Sequence, residues 1–283
     1  MFCFFAHHRS ASSSTNDILR ALARILGWRH CTLHNPAMFD DDLAGFCRDV
    51  KPDLLTLSNA RVTYLESLPA FRGVHLIRDP RDVLVSSYFS HRDSHPVADW
   101  PELPAHRAQL QALDEEAGLL LELDCREAQF SDLAAWRYDD PRILEWRMEE
   151  LVGNTAACFR QLLEFWGYSL TSAESARLSP WSSLRPRVNR LVAALERRAP
   201  GVRLPYWRAG SVTAPALTAV LAKHSYRGKT AGRQPGVTAL HHHYRQGMSG
   251  SWRRHFTPEV TRQFRRRYGG LVRQLGYEKG DDW

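Results

Sequence analysis

The chain lacks the cysteine spacing of a metal or disulfide scaffold. Its five cysteines, Cys3, Cys31, Cys47, Cys125 and Cys158, are odd in number, scattered, and include no CxxC pair. A zinc ribbon or disulfide framework is therefore not expected, and a reducing, cytoplasmic setting is. Long apolar runs are also missing. The opening Met1-Phe2-Cys3-Phe4-Phe5-Ala6 passes directly into His7-His8-Arg9, too short for a secretory h-region or a membrane span. Neither an internal repeat nor a long low-complexity segment interrupts the 283 residues.

What is present is a globular composition, 43% hydrophobic, in a chain long enough to bury a substantial core as one elaborated domain over residues 1–283. The net charge of +7 favours an anionic partner, and the excess falls late, in Arg253-Arg254 and Arg265-Arg266-Arg267.

The stretch Val74 to Tyr88 reads as strand, turn and helix. An apolar run leads into Arg78-Asp79-Pro80-Arg81-Asp82, and Val83, Leu84, Val85 and Tyr88 follow. Asp79 suits an N-cap and Pro80 a first helical position, because Pro lacks the amide hydrogen that a helix start leaves unsatisfied. Arg78 then stands at the strand's carboxyl edge with Ser86 about two turns into the helix, and cation and hydroxyl can converge on one anion.

The N-terminus repeats this pattern. Residues 2–6 read as a strand, Ala6 to Thr15 as a loop of small hydroxyl residues, and Ile18, Leu19, Leu22, Ile25 and Leu26 as a helix stopped at Gly27. Such a loop aims amides, hydroxyls and the positive end of a helix dipole at one point, which suits phosphate or sulfate; a Ser-rich cap without a ligand is the plain alternative. Further strands are read at 28–34, 54–58 and 143–148. Strands alternating with helices predict an α/β fold with a central parallel sheet flanked by helices. Arg9, His34, Ser58 and Arg78 then lie beyond the strands' carboxyl ends, where such sheets bind ligands.

Residues 91–138 read as an irregular insertion that lines an acceptor pocket. His91, His95 and His106 match no common metal spacing, so no metal is expected there. Residues 168–283 read as a helical part that caps the cofactor, with amphipathic segments at 188–195 and 214–222 and a basic helix from Pro258. Arg245 before the glycine-containing turn Gln246-Gly247 is a second candidate phosphate clamp.

Three ordered segments together resemble the sulfotransferases that use 3'-phosphoadenosine 5'-phosphosulfate (PAPS), both the cytosolic type and its bacterial relatives. Arg9-Ser10-Ala11-Ser12-Ser13 resembles the family's 5'-phosphosulfate loop, and Arg78-Asp79-Pro80-Arg81-Asp82 with Ser86 its 3'-phosphate motif. Arg245-Gln246-Gly247 with Gly250 and Trp252 is similar to its Arg-Lys-Gly-x-x-Gly-x-Trp segment. His224-Ser225-Tyr226 resembles a segment whose aromatic residue contacts adenine.

The resemblance implies a P-loop-like sulfotransferase fold and PAPS as donor. It implies adenosine 3',5'-bisphosphate (PAP) as product, no required metal, and a small-molecule acceptor with a hydroxyl or amine. Arg9 would stabilise the reacting end, Arg78, Ser86 and Arg245 would hold the 3'-phosphate, and Tyr226 would stack on the purine. Three departures stand out. Ala11 replaces a usual Gly, Gln246 replaces a usual Lys, and the cytosolic enzymes' His near Ser58-Asn59 is missing. His34 is the first candidate for general base, with His91 and His8 behind it. A P-loop kinase or nucleotide hydrolase fits less well, since the first loop has neither Gly nor Lys. A nucleic-acid-binding protein also fits less well, because the Arg clusters lack interleaved aromatics.

Overall fold

The computed structural model describes residues 1–97, 100–172, 184–199, 201–225, 228, 249–280 and 282–283. The first half alternates strand and helix: β1 (Phe2–Ala6), α1 (Ser12–Leu26), β2 (His30–Leu33), α2 (Leu43–Val50), β3 (Leu54–Leu57), α3 (Tyr64–Ser67), β4 (Arg72–Ile77) and α4 (Pro80–Phe89). A π-helical turn (Ser90–Ser94) leads into α5 (Leu103–Ala112), α6 (Glu115–Cys125) and α7 (Glu127–Ala134). Next come β5 (Ile143–Arg147), α8 (Met148–Gly153), α9 (Thr155–Phe165), β6 (Ser169–Thr171), α10 (Arg185–Arg198), β7 (Ser211–Thr213) and α11 (Ala214–His224). The helix α12 (Pro258–Gln274) is the last.

The main sheet is parallel throughout, in the order β2-β3-β1-β4-β5, with β1 at its centre. The period of two along β1 sends successive side chains to opposite faces. Phe4 and Ala6 join a core built with Ile18, Leu19 and Leu22 of α1 and Phe159 and Leu162 of α9. Cys3 and Phe5 join another with Leu43, Leu65 and Trp136. A third core gathers Val83, Val85 and Tyr88 of α4 around Leu119, Phe130 and Phe264. Each fully buried side chain of this size stabilises the fold by roughly 2 kcal/mol.

The caps follow the sequence. Asp79 accepts from the Arg81 amide with Pro80 at the helix start, and Gly27 ends α1 at φ 72°, where a Cβ would sit 2.1 Å from the Trp207 carbonyl oxygen. The insertion is where the expectation fails. Residues 91–138 are helical over most of their described length, because Leu110, Leu119, Leu123, Phe130 and Leu133 are buried at helical spacing and Asp114 caps α6. Gly118 obscured that period, yet a Cβ there would lie 2.5 Å from the Tyr88 ring, so the glycine lets α6 approach α4 closely. In α9 Phe159, Leu162 and Leu163 form the buried stripe, while Ala157 is exposed. Among the described residues no helix is long and apolar enough to cross a membrane.

Candidate active site

The carboxyl ends of β1 and β4 are neighbours in the sheet, so the loop after β1 and the N-terminus of α4 share one edge. Ser10 closes a tight turn there. Its hydroxyl donates to the His7 carbonyl at 2.7 Å, and its amide donates to the same oxygen at 3.3 Å. Arg9 and Ala11 on either side have φ 66° and 63°. The position usually held by glycine is thus left-handed here, and Ala11 bears a cost of about 1 kcal/mol. Ser12 and Ser13 open α1, with amides directed out of its N-terminus.

Two arginines and a hydroxyl meet at this turn. Arg78 donates from Nη1 to the Arg9 carbonyl at 3.0 Å, and Arg9 donates from Nε to Ser86 Oγ at 2.9 Å. The two motifs, about seventy residues apart, therefore form one cationic cluster whose donor set suits phosphate or sulfate oxygens.

The buried remainder of the Arg78 motif anchors the C-terminal part. Asp82 accepts from the Gly250 amide at 2.5 Å, the Ser251 hydroxyl at 2.9 Å and the Trp252 amide at 3.0 Å. Arg81 pairs with Asp79 and Glu278 and lies 4.0 Å from the Trp252 ring centre and 4.4 Å from that of Trp283. The Gly250 to Trp252 end of the third motif is thus fastened to the N-terminal turn of α4. Tyr226, Arg245, Gln246 and Gly247 lie outside the described residues. At the end of α11, two residues before Tyr226, the His224 carbonyl accepts from the Ser14 hydroxyl at 3.2 Å.

Beside Arg9 stands a histidine system that sequence spacing did not join. His8 and His91 face each other with Nε2 to Nε2 at 3.1 Å, and His91 Nδ1 contacts the buried Glu122 at 3.0 Å. His106 Nε2 reaches the same carboxylate at 2.9 Å, and Arg126 Nε lies 3.0 Å from it. Burial opposes the Glu122 charge, but the hydrogen bonds from His106 and His91 and the Arg126 charge outweigh it and hold the carboxyl down at about 2. Burial first, then the neighbouring Arg126, His91, Arg9 and His95, push the His8 pKa well below its usual value, which keeps the imidazole neutral. Gln129 of α7 donates to the His8 carbonyl at 3.0 Å and fixes the loop against the insertion.

His34 is exposed and follows β2 at the sheet edge, with β3 between it and β1. Two strand spacings, about 10 Å, separate these chain ends. A cavity of about 790 Å³ runs along α12 and is lined by Arg262, Arg265, Arg266 and Arg273. It shares no residue with the Arg9 cluster.

Residues 65–192 match the family described as the sulfotransferase domain. No curated protein matches the chain. The mouse sulfotransferase SULT7A1, solved in complex with PAP, is 16% identical, with 96% of this chain and 83% of that one covered at a TM-score of 0.51. A retinol dehydratase solved with androsterone and inactive cofactor PAP is 14% identical, covering 96% of this chain and 80% of that one at a TM-score of 0.48. The matched segment begins before the Arg78 motif and runs through the helical insertion, so this part of the chain is similar to a sulfotransferase domain, and the chain as a whole shares the fold of the PAP-bound mouse enzyme.

Proposed function

We propose that the protein transfers a sulfuryl group from PAPS to a hydroxyl, or in second place an amine, of a small-molecule acceptor and releases PAP. The observation that carries this reading is the meeting of Arg9, Arg78 and Ser86 at the carboxyl edge of β1 and β4, in a chain whose residues 65–192 match the sulfotransferase domain. Arg9 and the amides of Ser10, Ala11, Ser12 and Ser13 take the 5'-phosphosulfate. Arg78 and Ser86, with Arg245, Gln246 and Gly247, take the 3'-phosphate, and Tyr226 stacks on adenine. The helices of 91–138 wall the acceptor pocket. The five unpaired cysteines fit a reducing, cytoplasmic setting.

The chemistry asks for positioning and for charge at the leaving oxygen rather than covalent help. The acceptor oxygen attacks sulfur while the bond from sulfur to the 5'-phosphate oxygen breaks, and Arg9 offsets the charge that develops there. The acceptor proton goes to the histidine pair. His91 carries its hydrogen on Nδ1, facing the ionised Glu122, so its Nε2 accepts from His8 Nε2–H. His8 is left with Nδ1 as the proton acceptor beside Arg9. Once it is protonated there, its other proton passes to His91, whose imidazolium Glu122 stabilises. His34, the alternative base, has no comparable partner in this reading, and His34→Ala should retain turnover.

Thermal denaturation tests donor binding. Millimolar PAP should raise the Tm of the wild type, and Arg78→Ala should remove the rise. An unshifted wild type would overturn the assignment.

A further inference from the structure

We infer that His8, His91 and His95 form a binding site for one divalent transition metal ion, with zinc the best match. Each offers a ring nitrogen, and these atoms all lie within 4.8 Å of one another. Tetrahedral zinc with Zn–N bonds of 2.0–2.1 Å holds its nitrogen ligands about 3.3 Å apart. His8 and His91 already stand at 3.1 Å, so a small rotation of His95 completes three corners and leaves the fourth for water.

The backbone prepares this geometry. His95 lies one residue past the π-helical turn, and its amide donates to the Ser90 carbonyl five residues back at 2.7 Å. Turns of this kind recur at functional sites. Arg107 clamps both ends of the pair, donating from Nε to the His91 carbonyl at 2.8 Å and from Nη2 to the His95 carbonyl at 2.6 Å. Behind His91, the Glu122 contact at Nδ1 leaves Nε2 as the ligand atom, the carboxylate–histidine arrangement that orients metal ligands. His91, His106 and Glu122 also lie close together, but there the carboxylate is already engaged by both histidines and Arg126. The nearby Arg126 and Arg9 charges oppose a cation, and the buried Glu122, paired with Arg126, offsets one of the two.

Binding requires lone pairs on Nε2 of both His8 and His91, so the His8 hydrogen moves to Nδ1. On the proposed sulfotransfer reading, that tautomer has no lone pair for the acceptor proton. Metal occupancy and turnover then exclude each other, and zinc acts as an inhibitor.

Titrating the metal-stripped full chain with Co²⁺, without nucleotide, tests the site apart from turnover. The wild type should develop visible ligand-field absorption that saturates at one ion per chain and is displaced by Zn²⁺. His95→Ala should weaken binding at least about tenfold while keeping its PAP-induced Tm rise. A variant with His241→Ala, His242→Ala and His243→Ala should titrate like the wild type. No saturable absorption in the wild type, equal binding by His95→Ala, or loss of binding in the triple variant would each overturn the site. A missing Co²⁺ signal with an intact PAP shift sinks the metal site alone. Zinc inhibition of equal strength in the wild type and His95→Ala would refute the coupling.

Discussion

Two adjacent residues, His7 and His8, each begin a chain of histidine, histidine and carboxylate, and the two chains do different work. His7 meets His75 at 2.9 Å, and His75 meets Glu145 at 2.7 Å, with the Trp136 indole donating to the same carboxyl at 3.0 Å. His8 meets His91 and then Glu122 at nearly the same spacings. The first chain lies within the sheet, between β1, β4 and β5, under Trp136; the second leaves the sheet edge toward α4 and α6, beside Arg9. Burial without a compensating cation pushes Glu145 up to about 8 and His75 down to about 3, so the inner chain stays neutral: the protonated carboxyl donates to His75 Nδ1. Around Glu122 the partners include Arg126 and His106, and the carboxylate stays charged. The same residue types thus give a neutral hydrogen-bond chain in one place and a chain ending in a charged carboxylate in the other, and the presence of a cation decides which.

The sharpest way to break this comparison is to remove one member from each chain. His8→Ala should lower kcat by about 10² to 10⁴ without loss of the PAP-induced Tm rise, while His75→Ala should leave turnover per folded molecule within a few-fold. Equal losses of kcat in both would show that the inner chain also serves the reaction. Glu122→Ala leaves Arg126 without its buried carboxylate, and urea unfolding should show a loss of about 3 kcal/mol.

Glu145→Gln tests the neutral state directly. A carboxyl raised from 4.5 to about 8 on folding contributes stability below pH 4.5, and that contribution is lost as pH rises through 8. Gln keeps both hydrogen bonds and does not titrate. The variant should therefore gain on the wild type progressively from pH 5 to pH 8, reaching about 2 kcal/mol near neutrality. A constant difference across that range would mean that Glu145 is ionised in the folded protein. Smallest is Ala11→Gly, which relieves the left-handed strain in the Arg9 loop at some entropic cost and should gain up to about 0.5 kcal/mol in thermal denaturation.

Much of this was legible because it is local. The caps at Asp79 and Gly27, the strand, loop and helix order, and Arg78 followed by Ser86 are written over spans of a few residues. Capping and periodicity act at that range. The pairing of His8 with His91 spans 83 residues, and the hold of Asp82 on Gly250, Ser251 and Trp252 spans about 170. No local rule encodes either contact. The π-helical turn was equally hidden, since it changes the spacing at which His91 and His95 share a side.

By itself, the sequence determined the strands and helices of the parallel sheet outside residues 91–138 and the chemical character of the basic, hydroxyl-rich loop after β1, because propensity, capping and side-chain period are properties of neighbouring residues. Only the tertiary structure decided which histidine faces which. The side chains after β1 alternate in direction, so strand β5 supplies a bare carboxyl, Glu145, to His7's chain, while helix α6 supplies an arginine-paired one, Glu122, to His8's.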